Sequence, residues 1–92
     1  MAEGTLNKVS VRIMGEDYVV KGKSTPEHIK RLGSYVDSVM AEIRQSNPYL
    51  STMQVAILAA VNISAELFRV KADYEELLEL LQETGAEIAG GD

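Results

Sequence analysis

STMQVAILAAVNISAELFRVKADYEELLELLQET, residues 51–84, holds neither proline nor glycine and is rich in good helix formers. Ser51-Thr52-Met53-Gln54 at its start has the form of a capping box, in which the serine side chain and the glutamine side chain satisfy each other's backbone N–H groups. A helix of this length spans roughly 50 Å. A compact chain of this size has a radius of gyration of only about 12 Å. The helix is therefore expected to extend past the rest of the fold, ending at Gly85 as a C-cap.

With Met53 at heptad position a, the a and d positions are Met53, Ala56, Ala60, Ile63, Leu67, Val70, Tyr74, Leu77, Leu81 and Thr84, all but the last apolar or aromatic. That pattern, held beyond four heptads, is the signature of a coiled coil. The two halves differ. Val55 to Val61 is apolar on every side and is expected to be covered all round, by the rest of the chain and by a partner. From Leu67 onward one face alone is apolar, with Glu75, Glu76, Glu79 and Glu83 facing water. Leu78 and Leu80 widen that face beyond a two-helix seam. A homodimer that pairs again as a dimer of dimers is the expected assembly, with Met53, Ala56, Ala60, Ile63, Leu67, Val70, Tyr74, Leu77, Leu78 and Leu81 as its interface.

Upstream, Val9, Val11 and Ile13 alternate with Ser10 and Arg12, the period of a strand with one buried face. Gly15-Glu16-Asp17 reads as a turn and Tyr18-Val19-Val20-Lys21 as a second strand, giving a hairpin. A lone hairpin needs something to pack on. That support is the next helix, in which Ile29, Leu32, Val36, Val39, Met40 and Ile43 form one stripe. Its cap is either Ser24, with Glu27 as box partner, or Thr25, with Pro26 at the first helical position. It is expected to end near Arg44, before the Asn47-Pro48 break. The fold class is thus α+β: a hairpin-and-helix head over residues 7–50, then a long helix over 51–85 forming an oligomeric coiled coil. Residues 1–6 and 86–92 are expected to be disordered.

Composition narrows function by exclusion. The chain of 92 residues has no cysteine and one histidine, which leaves no disulfide and no thiolate metal site. A domain this small gains from association when it lacks such staples. Residues 1–47 carry seven basic against six acidic side chains, and residues 48–92 two against eight, giving +1 against −6. No strongly basic face dominates, so nucleic acid is not the expected partner. Met1 to Lys8 lacks the apolar core of a signal peptide, and no uninterrupted apolar run reaches the roughly 20 residues of a membrane span. A soluble, cytoplasmic protein with no membrane partner is expected.

There is no nucleophile elbow, no phosphate-binding glycine loop and no cysteine, so no enzyme, cofactor, metal or small-molecule substrate is expected. His28 could serve as a base, but in a first turn beside Glu27 it reads as a solvated surface histidine. The glutamates of the long helix cannot wrap a cation as a loop does, and they read as a solvated face. The basic side chains of the head, Arg12, Lys21, Lys23, Lys30, Arg31 and Arg44, are the one functional candidate. They are either ordinary solubilising charge or a surface for an acidic protein, displayed in several copies by the oligomer.

VRIMGEDYVVKG (residues 11–22) resembles the hairpin of the ZapA cell-division family. VAILAAVNISAEL (residues 55–67) is similar to that family's second-helix signature. The order of hairpin, helix, Asn-Pro break and long helix matches as well, and the resemblance covers about residues 7 to 84. It implies a bacterial cytoplasmic protein at the mid-cell division ring that binds filaments of the tubulin-like FtsZ and bundles them. It also implies dimers made by the head and long helix, tetramers made by antiparallel coiled coils, and FtsZ binding on the head, here the hairpin and first helix. The competing reading is a generic coiled-coil adaptor for another acidic partner.

Overall fold

A computed structural model describes residues 6–91, with side chains described as far as Glu83. The element order is β1 (Asn7–Ile13), β2 (Glu16–Gly22), α1 (Pro26–Ser46) and α2 (Thr52–Gly91). The chain divides into two compact units, one ending at Ala59 and the other beginning at Ala60.

In the first unit, β1 and β2 pair antiparallel in the register Asn7↔Gly22 to Ile13↔Glu16. The loop is therefore Met14-Gly15 alone. Glu16 and Asp17, expected in the turn, are the first residues of β2. The reason lies in backbone twist. A two-residue hairpin loop matches the twist of its strands when both loop residues have positive φ, and Met14 (φ 54°) and Gly15 (φ 80°) both do. Glycine adopts that region freely. Met14 does not, and its N–H donates to Asp37 Oδ1 of α1 at 2.7 Å, which fixes the loop onto the helix.

Val9, Val11 and Ile29 form one buried cluster, so the odd-numbered face of β1 packs on α1. Gly33 lets the two approach: a Cβ there would lie 2.7 Å from Val11 Cβ. Met40, Ile43, Val55 and Ala59 form a second cluster, which joins α1 to the start of α2. Thr25 is the N-cap of α1. Its hydroxyl accepts from the His28 N–H at 3.2 Å, and Pro26 follows in the first turn, so the second of the two capping alternatives is realised. The helix runs two residues past Arg44 to Ser46, and the Asn47 N–H reaches Ile43 O at 2.9 Å.

At α2 the capping box is complete: Gln54 N–H donates to Ser51 Oγ, and Ser51 N–H donates to Gln54 Oε1. The helix does not stop at Gly85 but continues to Gly91. An interior glycine costs about 1 kcal/mol against alanine, which is a penalty and not a terminator. No proline follows to block the next turn. The expected disorder of residues 86–91 is thus replaced by helical backbone. Residues 1–5 and 92, also expected to be disordered, lie outside the described residues, as does the Thr84 side chain of the heptad count.

Candidate functional site

The candidates are surfaces, since the first unit buries little beyond its two small clusters. Its sheet has an inner face on α1 and an outer face open to solvent. Lys8, Ser10 and Arg12 of β1, with Asp17, Val19 and Lys21 of β2, make up the outer face, because strand side chains alternate and Val9 and Val11 point inwards. Arg12 and Asp17 are cross-strand partners. Arg12 Nε donates to Asp17 Oδ1 at 3.0 Å and Nη2 to Oδ2 at 3.1 Å. This two-pronged hydrogen bond, and then the attraction of opposite charges, raises the Arg12 pKa and holds the Asp17 carboxyl below its ordinary value. Lys21 faces Lys8 across the ladder. Among the described residues neither lysine has a carboxylate in ion-pair range.

The six basic candidates of the head are not brought to one place. Arg12 and Lys21 lie on the outer sheet face, and exposed Lys23 follows β2. Lys30 and Arg31 are exposed on α1, on the other side of the sheet–helix pair. Arg44 is half-buried near the end of α1. Its Nη2 donates to Thr52 Oγ1 at 3.3 Å, and its buried Nε has no partner among the described residues. His28 is exposed.

Two apolar features of this unit were not singled out by sequence. A groove of about 520 Å³ is lined by Ile13, Met14, Tyr18, Val36, Met40 and Met53, among others. Tyr49, in the turn after Pro48, is 99% exposed. The groove joins residues from the hairpin, α1 and α2, and no local pattern could announce it. Beside it, Val55 and Ala59 are buried while Ile57 and Leu58 are exposed. The all-round cover expected for Val55 to Val61 is therefore only partly supplied by the chain itself.

In the second unit, the expected interface residues Leu67, Val70, Tyr74, Leu77, Leu78 and Leu81 are all exposed, and Ile63 is half-buried. In the first unit Met53 is exposed as well, with Ala56; Ala60 opens the second unit likewise exposed. Val61, Ser64 and Phe68 line a second, shallow hollow with Ala60 and Ala65. Their 3–4 spacing was the available signal, and the a/d count overlooked it. Arg69 pairs with Glu66 and, at 3.2 Å, with Asp73. The hydrogen bond to Glu66 and that residue's charge raise the Arg69 pKa.

Averaged over 18 residues, Thr52–Glu83 reaches a mean hydropathy of 1.4, which by length and composition alone would suffice to cross a membrane. Gln54, Asn62 and Ser64 break the apolar runs but leave that average high, so a search for uninterrupted runs passes over it. Among the described residues no group of three or more His, Cys, Asp or Glu side chains is placed to hold a metal ion.

Comparison with known proteins places this architecture. The family model described as "Cell division protein ZapA" matches residues 9–90. The chain is 41% identical over 75 residues to the cell division protein ZapA of Geobacillus kaustophilus (strain HTA426), covering 82% of each. It is 39% identical over 88 residues to that of Geobacillus thermodenitrificans (strain NG80-2), covering 95% of this chain and 97% of the relative. Among solved structures it is similar to a ZapA mutant dimer from Geobacillus stearothermophilus, with a TM-score of 0.70 and 38% identity over 89% of this chain and 95% of that one.

Proposed function

Because the chain belongs to the ZapA family of cell division proteins, we propose that it is a non-enzymatic division factor that binds FtsZ filaments and cross-links or bundles them at the mid-cell ring. The observation that carries this reading is the exposed apolar stripe of α2, from Leu67 to Leu81. Large exposed apolar faces on soluble chains are covered by partners. Here the heptad spacing fits a second copy of the same helix. The related ZapA mutant from Geobacillus stearothermophilus is described as a dimer, which supports self-association here; the further step to a dimer of dimers rests on the width of the α2 stripe.

Cross-linking needs no reaction chemistry. It needs at least two binding heads on one assembly, and multivalency then strengthens weak contacts by roughly 10²–10⁴-fold. The head, residues 7–50, supplies the filament contact, and residues from 51 onward supply the assembly. Within the head the basic side chains Arg12, Lys21, Lys23, Lys30, Arg31 and Arg44 are the candidate contacts. Arg12 and Lys21 share one open face and are the first to test. The FtsZ partner is carried by family membership and the cytoplasmic setting goes with it.

Purified protein added to polymerising FtsZ should raise light scattering and produce bundles by electron microscopy. Arg12→Glu with Lys21→Glu should keep the assembly made through α2 and weaken bundling at least about tenfold, since rim charges act through steering and complementarity. No bundling by the unaltered protein, at any ratio to FtsZ, would sink the reading.

A further inference from the structure

β2 is the least covered element of the first unit. Every residue from Glu16 to Lys21 is exposed, Val19 at 65%, and only Gly22 is half-covered. Among the described residues the sheet has two strands, so β2 has one edge with no described strand beside it. Natural edges are blunted by a central lysine, a proline, a bulge or a covering segment. The centre of β2 is Tyr18-Val19-Val20, with no such device.

The two-residue loop fixes which backbone groups this edge offers. Ile13 and Glu16 flank the loop and exchange both of their bonds, so by alternation Asp17, Val19 and Lys21 turn their N–H and C=O groups outwards. Laid antiparallel against a second β2 about Val19, the strand overlaps along its full length, Glu16 against Gly22. In that register Asp17 meets the other copy's Lys21, Lys21 meets its Asp17, and Tyr18 meets Val20. Opposite charges and aromatic–β-branched pairs are the favourable cross-strand combinations. Lys21 has a particular need for this arrangement. Its neighbour on β1 is Lys8, so the second copy's Asp17 supplies the carboxylate that its own sheet does not.

We propose that the free edge of β2 is a self-recognition surface, at which two heads join into one four-stranded sheet centred on Val19. This contact lies on the hairpin and goes beyond the association of α2. It is small compared with the roughly 1,200–2,000 Å² of a stable complex. It is a weak contact that gains strength when each assembly presents several heads. The paired sheet also presents Lys8 and Arg12 of both copies on one continuous outer face.

Single-cysteine cross-linking tests this directly, because the chain has no cysteine of its own. In the proposed sheet the two Val19 Cα atoms lie about 5.5 Å apart, within reach of a disulfide. Ser10 is equally open and on the same face, but the two copies of Ser10 lie three strand spacings, about 14 Å, apart. With oxidised glutathione and no FtsZ present, Val19→Cys should form the covalent dimer at least about tenfold faster than Ser10→Cys. Adding Lys21→Asp to Val19→Cys sets carboxylates against each other and should remove most of that advantage. Adding Asp17→Lys as well should restore it. Equal rates for Val19→Cys and Ser10→Cys would overturn the proposal, as would a Val19→Cys rate indifferent to Lys21→Asp. Since FtsZ is absent, failure here leaves the filament-binding reading standing, and failure to bundle FtsZ leaves this one standing.

Discussion

Residues 7–59 and residues 60–83 both carry regular apolar periodicity, that of strands and helices in the first and of a helix in the second, yet they end in opposite states. The first region buries Val9, Val11, Ile29, Met40, Ile43, Val55 and Ala59 against one another. In the second no described side chain is buried, although it carries Val61, Leu67, Phe68, Val70, Tyr74, Leu77, Leu78, Leu80 and Leu81. Most helical stability in proteins comes from packing an apolar face rather than from intrinsic propensity. The first region draws that packing from its own chain. On the proposed reading the second draws it from another copy. Apolar periodicity tells that a face will be covered, and the supply of nearby chain decides by what.

The largest effect should come from charging the second region. Leu77→Glu with Leu81→Glu removes two leucines, each stabilising by about 1.5–3 kcal/mol when buried. It also asks a paired interface to accept two carboxylates. A loss of about 4 kcal/mol or more corresponds to roughly a thousandfold in association. Multi-angle light scattering should then show the assembly falling by one step, from tetramer to dimer, while the head keeps its fold. An unchanged mass would break the contrast between the two regions, because the second would then not be the surface that a partner covers.

The first region should instead respond to changes inside its own packing. Gly33→Ala places a Cβ 2.7 Å from Val11 Cβ and 2.8 Å from its Cγ1, atoms held by the strand backbone. Overpacking of this kind costs about 1–3 kcal/mol, against a gain of up to about 1 kcal/mol in helix propensity. The melting temperature should fall by several degrees, with the assembly step unaltered at low temperature. A rise in melting temperature would mean that α1 and β1 can move apart freely, and that the first region is looser than its buried clusters imply.

How far sequence reaches follows the same division. The Ser51–Gln54 capping box is local chemistry, and it was read in full from four residues. The order of hairpin, helix, break and long helix was equally plain, since each element carries its own period. The hairpin loop was not. Gly15-Glu16-Asp17 has turn composition, but strand register confines the loop to Met14-Gly15. What steadies Met14 is Asp37, 23 residues away, which no local window contains. The candidate basic residues were identifiable by type, but whether Arg12 and Arg31 share a face depends on which side of the sheet α1 packs. The groove lined by Tyr18, Met40 and Met53 needs three elements in place before it exists.

A smaller effect is expected at the junction of α1 and α2. Ser51→Ala removes the hydroxyl that accepts the Gln54 N–H at 3.1 Å. Loss of an N-cap typically costs about 1 kcal/mol. Urea titration of the Ser51→Ala protein should move the unfolding midpoint modestly downwards with little change in slope. A midpoint identical to that of the unaltered chain would mean that the reciprocal Gln54 contact alone holds the start of α2.

The smallest effect should be at Asp17, and its pH dependence gives it a signature. The Arg12 hydrogen bond and charge lower the Asp17 pKa in the folded chain. A lowered carboxyl pKa contributes stability that is fully present above the unfolded value, about 3.9. That contribution is lost as the pH falls through the folded value. Both groups are exposed, so solvent screens the pair and the contribution is slight. Asp17→Asn should therefore melt marginally below the unaltered chain at neutral pH and low salt. The difference should narrow as the pH drops below the usual carboxylate range, and it should shrink in high salt. A gap that widened towards acid would mean that Asp17 is held by something other than Arg12, and the outer sheet face would have to be redrawn around that partner.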